Sequence, residues 1–266
     1  DIDESADFGQ SSVRLSLSST LLGTLPESMK YLVQYPYGCV EQTTSRFVPA
    51  VIAAANQDLF GSSIAGKDID SIVETGISRL TKMQQGNGAW AWWHGRNDDA
   101  FVTSYVVEYL LMAKKSGYVV KAEVLDSAKL WLENKLVASG VGQEEKVMVY
   151  YGLSLFEGNQ NKQLLGNLES LQEDLLAMAV MANYRNGHRD ANTNGLNLLL
   201  SKRQTQGEGV FWNGASEVRF GSVEVTTGLA IRAISETGGD RNIAAQAVRY
   251  LLRNRKTHYW GNTFGT

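Results

Sequence analysis

Two side chains in the first part of the chain could react with each other. Cys39 is the only cysteine among 266 residues, and Gln42 follows it in the segment Tyr37-Gly-Cys-Val-Glu-Gln. If this segment opens a helix, positions i and i+3 lie on one face within side-chain reach. A thiolate at that spacing can attack the Gln42 carboxamide, expel ammonia and leave an internal thioester. Because such a bond is an activated acyl group, it survives only where water is excluded.

The same residues also allow an unreactive interpretation. A lone cysteine usually behaves as a small buried hydrophobe, and the Cys-x-x-Gln spacing alone does not specify a reaction. If a thioester forms, Tyr31, Tyr35, Tyr37 and Phe47 could supply its apolar cover. Gly38 would allow a close approach of the backbone at the turn. On composition and spacing alone, both interpretations remain open.

The composition excludes several classes of protein. The 25 Lys and Arg residues against 28 Asp and Glu residues give a formal net charge of −3. No nucleic-acid partner is expected, since such proteins concentrate basic charge. A single cysteine allows neither an internal disulfide nor a Cys-rich zinc module. The sequence shows no metal-ligand cluster, glycine-rich phosphate loop or Ser-His-Asp arrangement, so we expect no cofactor and no metal.

No segment of the sequence is typical of a membrane span or a signal peptide. The longest apolar run, from Leu175 to Ala182, is far shorter than the ~20 residues that a span needs. The first residues, Asp1-Ile-Asp-Glu-Ser, are acidic, whereas a signal peptide begins with basic and apolar residues. We therefore expect no direct membrane insertion of this chain. If the protein is exported, its signal is expected outside this sequence.

Helical periodicity of two kinds dominates after residue 20. One set of predicted helices carries a single apolar stripe, and the other set is apolar nearly all round. The amphipathic set covers 71–83, 123–136, 161–171, 192–202 and 241–253, and the apolar set covers 41–56, 101–115, 146–156, 174–184 and 222–236. Their alternation favours an all-α (α/α)6 toroid of inner and outer helices. An open α-solenoid of helix pairs has the same local pattern.

The sequence predicts two regions of unequal size. Residues 1–20 form a linker in which Ser12 to Ser19 alternate apolar and polar side chains, as a strand does. Residues 21–266 form the toroid domain. A sixth inner helix is predicted to begin near Asn262 and to be cut off at Thr266, so the last helix pair is expected to be missing.

Aromatic side chains are predicted to gather at the same end of the toroid as Cys39. Antiparallel inner and outer helices place all outer-to-inner loops there, and those loops carry Trp90, Trp92, Trp93, His94, Trp212, His258, Tyr259 and Trp260. Weak repeats precede three inner helices: Gly88-Ala-Trp90, Gly209-Val-Phe-Trp212 and Tyr259-Trp-Gly261. The loop 90–93 could stack on sugars or serve packing. Asn97-Asp-Asp99 is predicted to cap the following helix.

The segment from Tyr37 to Arg46 resembles the thioester motif of the α2-macroglobulin/complement C3 family, particularly its bacterial branch. Val40 stands where the vertebrate motif has its middle glycine. Three further stretches are similar to the family in the same order: Ala100–Val107, Ser222–Ala230 and Tyr259–Thr263. The resemblance implies an (α/α)6 toroid for the domain. It also implies that the strand at 12–19 is a linker from a neighbouring CUB-like β domain.

The resemblance implies a mechanism of covalent capture. A thioester between Cys39 and Gln42 would stay shielded until a protease cleaves a bait region elsewhere in the parent protein. An amine of the target, such as a surface lysine of the protease, would then attack the Gln42 acyl carbon, with Cys39 as the leaving thiolate. Tyr35 matches a tyrosine that helps to lock the thioester in bacterial homologues, with a partner from another domain, and Tyr37 would add to the shield.

The resemblance also implies the biological setting. Such a domain acts once and is not a turnover enzyme. It works in a broad-spectrum protease inhibitor with a role in defence. The parent would be exported to the periplasm or cell envelope, and a lipid anchor is one option for it.

One departure from the family concerns the histidine that assists transfer to hydroxyl groups in complement C3. The corresponding loop, 138–146, contains no histidine, so we expect direct attack by amines; His94 or His258 could substitute as accessory groups. Glu41 is a third accessory candidate. At i+2 from Cys39, however, it is expected to point away from the reacting face and to act as a cap or in solvent.

Two other classes of function remain open at this point. A non-covalent interaction domain with an inactive or hydrolysed thioester would have the same sequence. A toroid enzyme related to terpene cyclases or prenyltransferases also carries Gly-x-Trp repeats, although the acid motif and the zinc ligands of those enzymes are not found in the sequence.

Overall fold

The computed structural model describes residues 38–56, 69–93, 95–159, 167–214 and 221–255, together with residues 28, 32, 165, 260 and 266. Within this part of the chain, nine α-helices and one β-hairpin form. The helices are α1 (Val40–Ala55), α2 (Ile69–Met83), α3 (Ala100–Lys115), α4 (Ala122–Val137), α5 (Gln143–Ser154), α6 (Glu173–Arg185), α7 (Arg189–Ser201), α8 (Val223–Glu236) and α9 (Arg241–Arg253). The strands are β1 (Gln204–Gln206) and β2 (Gly209–Phe211).

Five helices form an inner layer in which each contacts the next. The order of contact is α1, α3, α5, α6 and α8. Their burial explains the sequence pattern: every residue from Val147 to Ser154 in α5 is buried, and so is every residue from Asp174 to Asn183 in α6. A helix without a polar face requires such surroundings.

The amphipathic helices cover this inner layer from outside. Helix α2 packs on α1, α4 on α5, α7 on α6 and α9 on α8. In α9 only Ala247 is fully buried, as expected of a helix with one face in water. Close packing fixes some of these contacts, because a Cβ at Gly76 of α2 would lie 2.5 Å from the ring of Phe47 in α1.

The inner helices surround a common cavity of about 400 Å³. Each of them contributes to its wall, for example through Ile52 of α1, Tyr109 of α3, Met148 of α5, Met178 of α6 and Leu229 of α8. The first and the last helix of a straight array would not line one cavity. The structure therefore confirms the toroid and not the open solenoid.

An ion pair between a buried glutamate and a partly exposed arginine lies in this cavity wall. Glu108 of α3 accepts hydrogen bonds from Arg232 of α8 and from the hydroxyl of Tyr151 in α5, the latter at 2.9 Å. Burial raises the pKa of Tyr151 to about 12, so this hydroxyl keeps its proton and donates. Three inner helices are thus joined by polar contacts at the centre of the toroid.

Three tryptophans follow outer helices and make the same pair of hydrogen bonds, and Trp90 and Trp212 thereby join an outer helix to the inner helix that follows it. In each case the indole N–H donates to a carbonyl at the end of the outer helix, and the tryptophan backbone N–H donates to a threonine hydroxyl. The sets are Trp90 with Leu80 and Thr103, Trp212 with Leu199 and Thr227, and Trp260 with Leu251 and Thr266, with indole bonds of 2.7 Å and backbone bonds of 3.0, 3.1 and 3.0 Å. We call each set a tryptophan clamp.

The clamps confirm the weak sequence repeat and explain it. An outer helix ends with carbonyls that have no partner in the helix, and each indole satisfies one of them. Trp90 is fully buried, so this residue of the loop 90–93 serves packing and not sugar stacking.

Some predicted elements differ from the structure or lie outside the described residues. The predicted outer helix 161–171 is reduced, in its described part, to a 3-10 turn at Leu168–Ser170. The hairpin of β1 and β2 was not predicted; it closes through a two-residue loop that begins at Gly207, where φ is +59°. The predicted strand 12–19, the boundary at residue 20 and most of the sixth inner helix lie outside the described residues.

None of the described helices has both the length and the hydropathy of a membrane span.

Candidate functional site

Cys39 and Gln42 occupy the two reciprocal positions of a helix capping box. Cys39 is the N-cap of α1, with extended backbone at φ −78° and ψ 176°. Its Sγ accepts a hydrogen bond from the backbone N–H of Gln42 at 3.4 Å, and the Gln42 Oε1 accepts one from the backbone N–H of Cys39 at 3.3 Å. Serine or threonine usually fills this N-cap position. Here the cap consists of a nucleophile and an amide.

Gly38 makes room for the Gln42 side chain. A Cβ at this position would lie 2.0 Å from Gln42 Oε1 and 3.2 Å from Gln42 Cδ, closer than any side chain allows. The close approach expected at Gly38 is therefore confirmed, and its cause is the carboxamide folded back over the turn.

The Cys39 side chain is buried, with 6% of the residue exposed. Burial raises the pKa of the thiol above its ordinary 9.0, and the nearby negative charge of Glu41 raises it further, whereas the hydrogen bond from the Gln42 amide lowers it. The net effect is upward. The thiol therefore holds its proton at neutral pH, and any attack on Gln42 first requires that this proton be removed.

Glu41 does not point away from the cysteine. The residue is 4% exposed, its Oε2 lies 3.9 Å from Cys39 Sγ, and its Oε1 accepts a hydrogen bond from Ser45 at 2.6 Å. The expectation that Glu41 faces solvent on another side of the helix is wrong. The reason is that Cys39 itself is extended, so helical spacing does not apply between residues 39 and 41.

Tyr105 continues the polar contacts from Ser45 into the core of the toroid. Its hydroxyl lies 3.0 Å from Ser45 Oγ. Its ring belongs to an aromatic row along α3, stacked on Phe101 at 6.1 Å between centroids and edge-on to Tyr109 at 5.3 Å, while Phe101 stacks on Trp92 at 5.9 Å. Ser45 and Tyr105 were not predicted as site residues. Their only signal was that each stands in a stretch that resembles the family.

The loop 90–93 fastens the start of α1 to the rest of the domain. The backbone N–H of Val40 donates to the Trp92 carbonyl at 3.0 Å, and the Trp92 indole donates to Asp99 at 3.0 Å. Asp99 is the N-cap of α3, which confirms the predicted cap. Trp93 is 56% exposed, and its Cη2 would lie 3.7 Å from a Cβ at Gly38. An exposed indole thus borders the Cys39 turn.

Five predicted site or cover residues cannot be placed against this geometry. Tyr31, Tyr35, Tyr37, His94 and His258 lie outside the described residues. Phe47, a predicted cover residue, is buried against Gly76 of α2. Among the residues that the structure describes, no group of three or more His, Cys, Asp or Glu side chains is arranged to hold a metal ion.

Comparison with known proteins settles the family. The model of the A-macroglobulin TED domain matches residues 11–155, more than half of the chain and including Cys39, Gln42 and helices α1 to α5. This chain belongs to that family. The assignment confirms the predicted resemblance and replaces the alternative of a terpene cyclase-like toroid enzyme.

Bacterial α2-macroglobulins are similar to this TED domain over most of its length. The protein of Thermotoga maritima is 27% identical over 257 residues, which are 96% of this chain and 15% of the relative. The chain thus spans about a seventh of that protein. The native conformation of Escherichia coli α2-macroglobulin matches with a TM-score of 0.73 and 22% identity, over 91% of this chain and 16% of that one.

A Salmonella α2-macroglobulin reacted with methylamine matches the TED domain equally well. Its TM-score is 0.72 at 22% identity, over 91% of this chain and 17% of that chain. At this level of identity the two structural likenesses establish the fold, and they agree with the α/α toroid described above.

Proposed function

We propose that Cys39 and Gln42 form an internal thioester, and that this TED domain uses it to capture proteases covalently within a longer α2-macroglobulin-like inhibitor. The observation that carries the proposal is the capping box. It holds a thiol and a carboxamide on one helical turn, each hydrogen-bonded to the backbone of the other at 3.4 and 3.3 Å. Such positioning lowers the entropic cost of a reaction between them.

Two steps follow from this arrangement. In the first, Cys39 Sγ attacks Gln42 Cδ, a C–S bond forms, the C–N bond breaks and ammonia leaves. In the second, an amine of the target attacks the same carbon, an amide forms and the Cys39 thiolate leaves and is protonated. The backbone N–H of Cys39, which bonds to Gln42 Oε1, stabilises the oxyanion in both steps.

The relatives support a protease as the target. Structures of the Escherichia coli protein include forms activated by trypsin and by porcine elastase, and the Salmonella protein reacted with methylamine, a small amine. For this chain we infer the same sequence of events: cleavage of the parent, exposure of the thioester and attack by surface lysines. The domain is consumed in the reaction and so acts once as an endopeptidase inhibitor.

The proposal extends to the surroundings of the domain. Tyr35 and Tyr37 shield the thioester together with a residue of another domain of the parent. The parent acts outside the cytoplasm, in the periplasm or cell envelope, as part of a defence against foreign proteases. These parts rest on the family resemblance.

Intact mass of freshly purified full-length parent tests the proposal. We expect the protein to be lighter by one ammonia than the encoded chain and to take up one methylamine at Gln42. Cys39→Ala is the matched control and should have the encoded mass with no adduct. If wild-type protein also has the encoded mass and no adduct, the domain binds without covalent chemistry and the proposal is wrong.

A further inference from the structure

Glu41 contacts the sulfur that would have to react. Its Oε2 is 3.9 Å from Cys39 Sγ, and both residues are buried. A further hydrogen bond to this sulfur comes from the Gln42 backbone N–H, which is a donor and cannot take up a proton. A carboxylate, in contrast, can accept one. The thiol therefore meets a donor on one side and a proton acceptor on the other.

Two successive hydrogen bonds, from Tyr105 to Ser45 and from Ser45 to Glu41, hold this carboxylate in place. Ser45 donates its only hydroxyl hydrogen to Glu41 Oε1 at 2.6 Å. The contact of 3.0 Å between Ser45 and Tyr105 must then have the tyrosine as donor. Burial raises the pKa of Tyr105 well above 10, so its proton stays in place. Tyr105 thus orients Ser45, and Ser45 orients Glu41, whose Oε2 contacts the thiol.

We propose that Glu41 is the catalytic base and acid of thioester formation, moving the thiol proton of Cys39 to the departing nitrogen of Gln42. The inference rests on the proposed function above, and it gives a role to a residue that the thioester bond itself does not include.

The proton transfer balances within the site. Glu41 takes the proton from Cys39 as Sγ attacks Gln42 Cδ, and a tetrahedral intermediate forms whose oxyanion is bound by the Cys39 backbone N–H. Protonated Glu41 then donates to the amide nitrogen, the C–N bond breaks and ammonia leaves. Glu41 returns to its carboxylate form, and no other reactant is needed. Because the pKa of the thiol is raised, a base in contact with it is required at neutral pH.

Ser45 acts as a positioning residue in this scheme. Its hydroxyl touches Glu41 and Tyr105 and reaches no reacting atom in the contacts described. Loss of this hydroxyl should slow the reaction less than loss of the carboxylate.

Cell-free synthesis of the full-length parent provides the test, with ammonia loss followed by intact mass over time. Glu41→Gln keeps the size of the side chain and can still accept from Ser45, but it cannot remove a proton from the thiol. We expect ammonia loss to be about 100-fold slower than in wild type, a typical contribution of general acid–base catalysis. Glu224→Gln is the matched control, since Glu224 is also a first-turn glutamate of an inner helix, two positions after the N-cap. It should lose ammonia at the wild-type rate.

The outcomes separate this inference from the proposed function. If wild type and Glu41→Gln lose ammonia at the same rate, the role of Glu41 is wrong while the thioester stands. If wild type loses none, the proposed function fails and the inference fails with it. Circular dichroism checks folding of each variant. Should Glu41→Gln not fold, Ser45→Ala replaces it, with an expected slowing of about tenfold, which corresponds to the loss of one hydrogen bond; a wild-type rate in that variant overturns the inference.

Discussion

The side chain of Cys39 caps the backbone amide of Gln42, and the side chain of Gln42 caps the backbone amide of Cys39. The same two side chains therefore serve the helix and the proposed chemistry. The structural task needs only an acceptor at residue 39, whereas the chemical task needs a thiol. Substitution at this position can separate the two.

Cys39→Ser and Cys39→Ala should differ in stability but not in chemistry. Serine keeps an N-cap acceptor, and alanine leaves the first-turn amide without one, so the alanine variant should unfold about 1 kcal/mol more easily than the serine variant. Urea denaturation of the two variants measures this difference. Both should have the encoded mass, since neither can form a thioester. Equal stability of the two variants would mean that the cap contributes nothing.

Gly38→Ala should abolish thioester formation without unfolding the domain. The new Cβ would take the place of Gln42 Oε1, so the carboxamide would have to leave the turn. We expect the variant to keep its helical content and lose no ammonia, as read by circular dichroism and intact mass. Gly86→Ala is the control, because no atom lies within 4 Å of a Cβ there. Normal ammonia loss in Gly38→Ala would contradict the close approach.

Thr103→Val should destabilise the domain through the first tryptophan clamp. The hydroxyl of Thr103 accepts from the Trp90 backbone N–H at 3.0 Å, and all of these atoms are buried. An isosteric valine leaves that N–H without a partner, which costs about 1–3 kcal/mol. Thr205→Val in the exposed strand β1 should change the unfolding free energy by less than about 0.5 kcal/mol. Similar values for the two variants in urea denaturation would argue against the clamp.

The thiol of Cys39 should titrate above pH 9.0 when it is free. Gln42→Ala cannot form a thioester, and Cys39 is the only cysteine of this chain, so the pH profile of alkylation by iodoacetamide reports its pKa. We expect a midpoint above the ordinary 9.0, because burial disfavours the thiolate. The same chain in denaturant should titrate at the ordinary value.

The raised pKa of the Cys39 thiol also makes the stability of the fold depend on pH. A group whose pKa is higher in the folded than in the unfolded chain stabilises the fold below the unfolded pKa, and this contribution is lost as the pH rises above it. Folded Gln42→Ala should therefore lose stability above about pH 9. A folded midpoint at or below 9.0 would contradict the burial of the thiol.

Loss of His94 and His258 should leave transfer to amines nearly intact. Amines attack a thioester directly, and the loop 138–146 has no histidine to assist hydroxyl groups. The measurement is the rate of methylamine uptake by the full-length parent carrying His94→Ala and His258→Ala together. A large fall in this rate would show that a histidine takes part in amine transfer.

The sequence predicted that Cys39 and Gln42 lie on one turn and that two kinds of helix alternate, but not the contacts that surround this pair. Cys39 and Gln42 could be found because their types and spacing are local. Glu41 was misplaced because a helical wheel assumes helical backbone, and Cys39 is extended at φ −78° and ψ 176°. Tyr105 lies sixty positions beyond Ser45, and single-sequence periodicity holds no information on which inner helices become neighbours.

The tryptophan clamps show a second kind of contact that the sequence alone did not predict. The repeats around Trp90 and Trp212 were visible in the sequence, but their hydrogen-bond partners Thr103 and Thr227 were not. The hydrogen bonds between them could not be predicted, since they depend on the path of the loop between the two helices. Likewise, β1 and β2 have three residues each, too few for a period of two to be distinguished from a polar loop.

The loop 90–93 connects the Cys39 turn to the protein surface. Trp90 is held firmly by its clamp, whereas Trp93, three residues further on, is more than half exposed. Between them, the carbonyl of Trp92 accepts a hydrogen bond from the backbone N–H of Val40, the residue next to Cys39. A force on the indole of Trp93 would thus be transmitted to the Cys39 turn through the Trp92–Trp93 peptide and the hydrogen bond between Trp92 and Val40. A surface that binds that indole would therefore also act on the turn that holds Cys39 and Gln42.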